Sequence, residues 1–141
     1  MNNVPEISPP SLADIDEMAR AALASLPEPL KQMTKGVVLQ VTEFPDDEVC
    51  AEMELESPFD ILGLYQGISL AEKQIESSGA LPDMVFLYRR PILDYWCDTG
   101  EDLKHVVRHV LIHEIGHHFG FSDDDMEALE AEAEAEEHDG T

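Results

Sequence analysis

The sequence predicts an α+β domain: a small sheet of about three strands packed on one long helix, with further helices flanking it. Three observations lead there. Apolar residues recur at helical spacing at Leu103, Val106, Val107, Val110, Leu111, Ile115 and Phe119. Three short runs rich in Val, Leu, Phe and Tyr, at 36–44, 61–66 and 84–88, are strand-like and lie near Gly or Pro. The length, 141 residues, suits one small domain with a single core.

Each element follows in order. Met1–Pro10, with Pro5, Pro9 and Pro10, reads as a flexible arm. Ser11 caps a helix that places Leu12, Ile15, Ala19, Ala22, Leu23 and Leu26 on one face. Pro27 and Pro29 end it, because proline lacks the helical N–H. The valine-rich run Gly36–Phe44 is the first strand. Pro45-Asp46-Asp47 opens a short helix to about Met53, and Ser57–Asp60 is a turn. Ile61–Gln66 is the second strand, closed by Gly67. Ser69–Ser78 is polar and reads as a loop with some helical character leading to the third strand, Met84–Tyr88. Pro91 limits that strand, and Ile92–Cys97 makes a short helical turn before the long helix. Asp98, Thr99 and Asp102 supply the cap and first-turn signals of the long helix. Ser122 caps a last helix carrying Met126 and Leu129. From Glu130 to Glu137, Glu and Ala alternate, and both favour helix. Like charges repel there, however, and negative charge opposes the dipole at a helix C-terminus. Residues 131–141 are therefore expected to fray as an acidic tail, which leaves 11–130 as the single domain.

The long helix carries His113-Glu114-Ile115-Gly116-His117, then Gly120 and Asp123. Residues four apart share a helix face, so His113 and His117 can aim two imidazoles at one metal ion. Glu114 sits beside the first histidine, where it can act as general base without taking a coordination place. Gly120 can end the helix in a left-handed turn that brings Asp123 back as third ligand. Three protein ligands and one open place describe a catalytic zinc, not a closed structural one. In a chain this rich in Glu and His, the pentad alone arises by chance in roughly 3 of 100 cases. Adding the glycine and aspartate lowers this to about 1 in 10,000, so the extended motif carries the reading.

The third ligand stays open between Asp123, which its spacing after Gly120 favours, and Asp124, Asp125, Glu127 or Glu130. His105, His109, His113 and His117 form a four-residue stripe that invites a second metal site. The reading adopted is a single site, with His109 packed under the sheet or hydrogen-bonded and His118 structural. Gly116 either leaves room at the helix face or packs closely on the sheet, and Met126 is read as core. Tyr65, Tyr88 and Arg89 are candidate oxyanion or substrate contacts.

Composition narrows the partners. Eight basic against 31 acidic residues give a formal charge of −23. That argues against nucleic acid and against an anionic membrane surface, both of which are bound through Lys and Arg. It favours a cationic peptide or metal ion, or simply solubility. No signal segment and no membrane-spanning run is visible, and two cysteines suit a reducing cytosol.

The stretch from about Gly79 to Met126 resembles the small bacterial zincin-like metallopeptidase family, a minimal zincin domain. The matching residues are Leu81–Ile92 before the His113 motif, with Leu62–Gly67 resembling the family's middle strand. The resemblance implies a zinc-dependent peptidase with one Zn2+ and a peptide or protein substrate. It also implies that an exposed strand edge pairs with that substrate, and Met84–Tyr88 is taken as the edge. The competing reading is a zinc-containing binding module with little turnover, because so small a chain has little left to close a cleft. A protein partner would then complete it.

Overall fold

In the computed structural model, residues 8–67 and 82–139 are described. The loop expected at Ser69–Ser78, the first seven residues of the arm and the last two of the chain lie outside the described residues. Among the described residues, six helices and a three-stranded mixed sheet make the α+β arrangement that the sequence predicts.

Helix α1 spans Leu12–Ala24. Ser11 Oγ accepts from the Asp14 N–H at 3.0 Å, and the Asp14 carboxylate accepts from the Ser11 N–H at 2.9 Å. This reciprocal cap satisfies two of the free N–H groups of the first turn. One turn of helix, α2 (Leu30–Met33), follows the prolines, closed by Thr34 Oγ1 donating to Leu30 O at 2.9 Å. Four residues are too few to show a periodicity, so the sequence gives no sign of it. Strand β1 is Val38–Thr42. Helix α3, Asp47–Glu52, is capped by the Asp46 carboxylate, which accepts from the Val49 N–H at 2.8 Å.

Strands β2 (Gly63–Gln66) and β3 (Met84–Tyr88) complete the sheet in the order β1-β3-β2. β1 runs parallel to β3, pairing Leu39 with Val85, and β2 runs antiparallel to it, pairing Tyr65 with Val85. This corrects the expected substrate edge. Met84–Tyr88 is the central strand, and its backbone is hydrogen-bonded on both sides. A strand buried among neighbours reads as a continuous apolar run, which is what Met84–Tyr88 is.

Helix α4, Arg89–Thr99, starts directly from β3 and is longer than the expected Ile92–Cys97. Pro91 lies in its first turn, where the missing N–H has no partner to lose. Gly100, at φ +70°, ends it in the left-handed conformation. Helix α5, Leu103–His118, is the organising element. Its Leu103, Val106, Val107, Val110, Leu111, Ile112 and Ile115 are all buried, packed against the sheet, α1 and α6. Gly120, at φ +81°, turns the chain after it. Helix α6, Asp123–Asp139, then folds back on α5 and adds Met126, Leu129 and Ala133 to the core.

Fraying was expected from 131 onward, yet α6 continues to Asp139. Two observations account for this. Ala133 is buried against the core, and Glu134 pairs with His105 at 2.7 Å and Arg108 at 3.4 Å. Packing and opposite charge on α5 offset the repulsion among the acids.

Gly116 is where α5 meets Met126 of α6. A Cβ there would lie 2.5 Å from Met126 Sδ and 2.8 Å from its Cγ. The missing side chain therefore serves close packing, but against α6 and not against the sheet. Gly116→Ala should be destabilising in the native chain, because overpacking of about 1–3 kcal/mol exceeds the helix-propensity gain of about 1 kcal/mol. In a Met126→Ala background the clash is gone, and the same change should stabilise. Urea unfolding of the four proteins of this cycle checks it, and an equal effect in both backgrounds would refute the contact.

Candidate metal centre

The stripe His105, His109, His113 and His117 runs along α5 and meets α6, which lies antiparallel to it. Three pairs fix the register: His117 with Asp123, His109 with Glu130, and His105 with Glu134. The tight turn through Gly120 sets this register by starting α6 at Asp123. Ser122 Oγ accepts from the Asp125 N–H at 3.1 Å, and so caps the new helix as expected.

Within the motif, His117 Nε2 stands 3.8 Å from Asp123 Oδ1, and both side chains are largely exposed. His113 is more enclosed. Its ring lies edge-on to that of His117, with centroids 5.7 Å apart and planes at 88°. On its other side the His109 ring is 4.0 Å away. His113 Nε2 is 3.7 Å from Glu130 Oε1, and His109 Nδ1 touches the same oxygen. His109, His113 and Glu130 thus offer ligand atoms all within 4.8 Å of one another. Glu130 Oε1 and His113 Nε2 are both buried and in no hydrogen bond.

Glu114 shares a cleft of about 260 Å3 with His109, Val110, His113 and His117. The opposite wall is Asp60, Ile61 and Leu62, the approach to β2. The Asp60 carboxylate shapes that wall by accepting from the N–H groups of Glu56 and Ser57 at 3.1 and 3.0 Å. Burial raises the Glu114 pKa above its ordinary 4.5, with the His117 charge pulling the other way. Burial also lowers the His113 pKa from 6.5, helped by His109 and His117 and opposed by the carboxylates of Glu130 and Asp123.

The three side chains expected as oxyanion or substrate contacts do not line this cleft. Tyr65 donates its hydroxyl to Asp83 Oδ2 at 2.9 Å, and its ring stacks on His118 at 4.0 Å. Burial, then the Asp83 carboxylate, pushes its pKa upward. Tyr88 is buried, its pKa pushed up to about 12 by burial first and then by the charges of Asp46, Cys50 and Glu114. Arg89 donates Nε to Pro10 O at 2.7 Å and Nη1 to Glu43 Oε1 at 2.8 Å, fastening the N-terminal arm to the start of α4. The wall at 60–62 has no motif to announce it. The place of Glu130 depends on how α6 sits along α5, which no local pattern records.

A family model described as "Zincin-like metallopeptidase" matches residues 34–133. No curated protein matches the chain.

The shifted groups fix a pH dependence for the metal-free protein. His113 has a folded pKa below its unfolded 6.5, so the folded state binds fewer protons in the interval between them. Its contribution to stability is present above 6.5 and is lost as pH falls through 6.5 towards the lowered value. Glu114 acts oppositely: its contribution is present below 4.5 and is lost as pH rises towards the raised value. Melting the metal-free protein between about pH 7.5 and about pH 5.5 should show native stability falling relative to His113→Asn as the solution is acidified. Parallel profiles would refute the burial of a neutral His113.

Proposed function

The chain belongs to the zincin-like metallopeptidase family, and from that premise we propose that it is a zinc-dependent peptidase with His113, His117 and Asp123 as ligands and Glu114 as general base. The observation that carries this reading is the meeting of His117 Nε2 and Asp123 Oδ1 at 3.8 Å, with His113 one turn along the same face and Glu114 in the adjoining cleft.

The residues fit zinc. Two imidazole nitrogens and a carboxylate oxygen are a common catalytic donor set, and zinc bonds of about 2.0–2.2 Å place neighbouring donors about 3.3 Å apart. The 3.8 Å pair needs only a small side-chain adjustment, and both partners are exposed enough to make it, whereas His113 Nε2 stands beside Glu130 and must turn to join them. The buried, unpaired Nε2 of His113 is a donor atom awaiting a partner. When bound, zinc supplies polarisation of the scissile carbonyl and a water acidic enough to ionise near neutral pH.

The chain supplies the rest. Glu114 takes the proton of the attacking water and passes it to the leaving amine, so no covalent intermediate forms. Its raised pKa makes it a stronger base than an exposed carboxylate and suits it to that return. Ile61, Leu62 and Val110 give the cleft an apolar lining that limits water around the reacting groups. Among the described residues, β2 is paired on one side only, by β3. β1 is likewise paired on one side only, but β2 adjoins the cleft through Leu62, so the edge offered to an extended peptide lies at β2 and not at β3. The charge of −23 favours cationic peptides over nucleic acid. No helix of the described residues is long and apolar enough to cross a membrane. Both cysteines are free, in keeping with action in the cytosol.

One observation favours the second reading, a zinc-containing binding module. A cleft of about 260 Å3 falls just below the usual range of about 300–1,000 Å3 for small-ligand sites. A protein partner would then form the missing wall.

Metal content and hydrolysis of a peptide library separate the two. Near-stoichiometric zinc is expected in the native protein and in Glu114→Gln, and its loss in His113→Ala, while Asp123→Ala should lose hydrolysis. Glu114→Gln should also lose about 100- to 10,000-fold in rate. Undiminished hydrolysis by Glu114→Gln or by Asp123→Ala would sink the assignment.

A further inference from the structure

One group of side chains overlaps the proposed catalytic set at His113 and adds His109 and Glu130, which have no part in it. The geometry points to a second divalent-cation site formed by His109, His113 and Glu130, which competes with the catalytic set for His113. The competition rests on the peptidase reading; the site itself rests on the three side chains.

Three features argue for it. The ligand atoms lie within 4.8 Å of one another on two helices packed together through buried Met126, Leu129 and Ala133. His109 and His113 are four residues apart on α5, and Glu130 faces both from α6. Two of these atoms are also in no hydrogen bond: Glu130 Oε1 touches His109 Nδ1 and lies 3.7 Å from His113 Nε2, yet Oε1 and Nε2 are both buried without a hydrogen-bond partner. Buried polar atoms are seldom left so, and an ion between them would satisfy both. Finally, the next step of the ladder differs. Glu134 pairs with His105 and also receives Arg108, and its side chain is 46% exposed. The Glu130 side chain is only 14% exposed. The glutamate of one rung accepts a hydrogen bond from Arg108, and the glutamate of the other is more enclosed and has an oxygen in no hydrogen bond.

Two imidazoles and a carboxylate suit Zn2+, and also Co2+ or Ni2+. A neutral imidazole ligates one ion. An ion held by His109, His113 and Glu130 therefore leaves His117 and Asp123 without their third ligand, and Glu114 without a reaction to serve. The trio is a holding position one turn along α5 from the catalytic one, and it restrains hydrolysis while it is filled.

Zinc titration of the full chain by calorimetry tests this. The double variant His117→Ala/Asp123→Ala removes the catalytic set at two largely exposed positions. It should still bind one equivalent of Zn2+. Adding Glu130→Gln, a near-isosteric change, should weaken that binding at least tenfold, and adding His109→Ala should do the same from the other helix. Melting curves confirm that each variant is folded. No zinc binding by the double variant overturns the second site while leaving the catalytic assignment standing. Affinity unchanged by Glu130→Gln also overturns it. Zinc lost from the otherwise native chain by Glu130→Gln or His109→Ala, but kept by His117→Ala/Asp123→Ala, supports the trio and overturns the catalytic assignment instead.

Discussion

Everything at the metal centre depends on the seating of α6 against α5, and that seating depends on one contact. Met126 occupies the space that a side chain at position 116 would fill. Because the two helices approach so closely there, the carboxylates on the first turns of α6 come within reach of the histidines on α5. Gly120 makes this possible by turning the chain within a few residues, at a φ that β-carbon-bearing residues seldom adopt. A fixed hairpin of this kind holds ligand atoms more firmly than loops would. Glycine within the motif therefore works through packing, not through room for substrate.

The rest of α5 is committed to burial. Its apolar residues touch α1, the sheet and α6, so only a narrow polar stripe remains for chemistry. Histidines are the residues that such a stripe tolerates, since they pack as rings and still present nitrogen. The cost appears as perturbed protonation. Burial disfavours charge on both His113 and Glu114, which suits the first to the proposed ligand role and the second to the proposed role of base. Packing and reactivity here have a common cause. The acidic first turn of α6, Asp123–Asp125, fits the same logic, because the helix dipole favours negative charge at that end and holds it opposite the motif.

Much of this was legible in the sequence. The apolar spacing of α5, the cap at Ser11, the three strands and the start of α6 at Ser122 all rest on local signals. Those signals survive folding because tertiary packing reinforces them. The family itself was legible because the motif pairs a helical spacing with a turn residue and a ligand. What was not legible is non-local. The central place of β3 depends on pairing with β1 and β2, separated from it by many residues, and no strand carries its own rank in the sheet. The extent of α4 was underestimated because Pro91 reads as a breaker unless its place in the first turn is known. The pairing of Glu134 on α6 depends on Arg108 and His105, which the sequence places a whole helix away.

Glu130 shows why a motif and a site are different objects. The motif specifies contacts along one helix, at intervals of four. It says nothing of a second helix whose own four-residue rhythm runs antiparallel beside it. Where two such rhythms meet, acids on α6 fall opposite His117, His109 and His105 in turn. His113 lies between two of these rungs and can be reached from either, from the side of Asp123 or from the side of Glu130. The ambiguity over the third ligand that the sequence left open is therefore a property of the molecule. It follows from a histidine stripe longer than the motif needs, and it would vanish if His109 were an apolar residue.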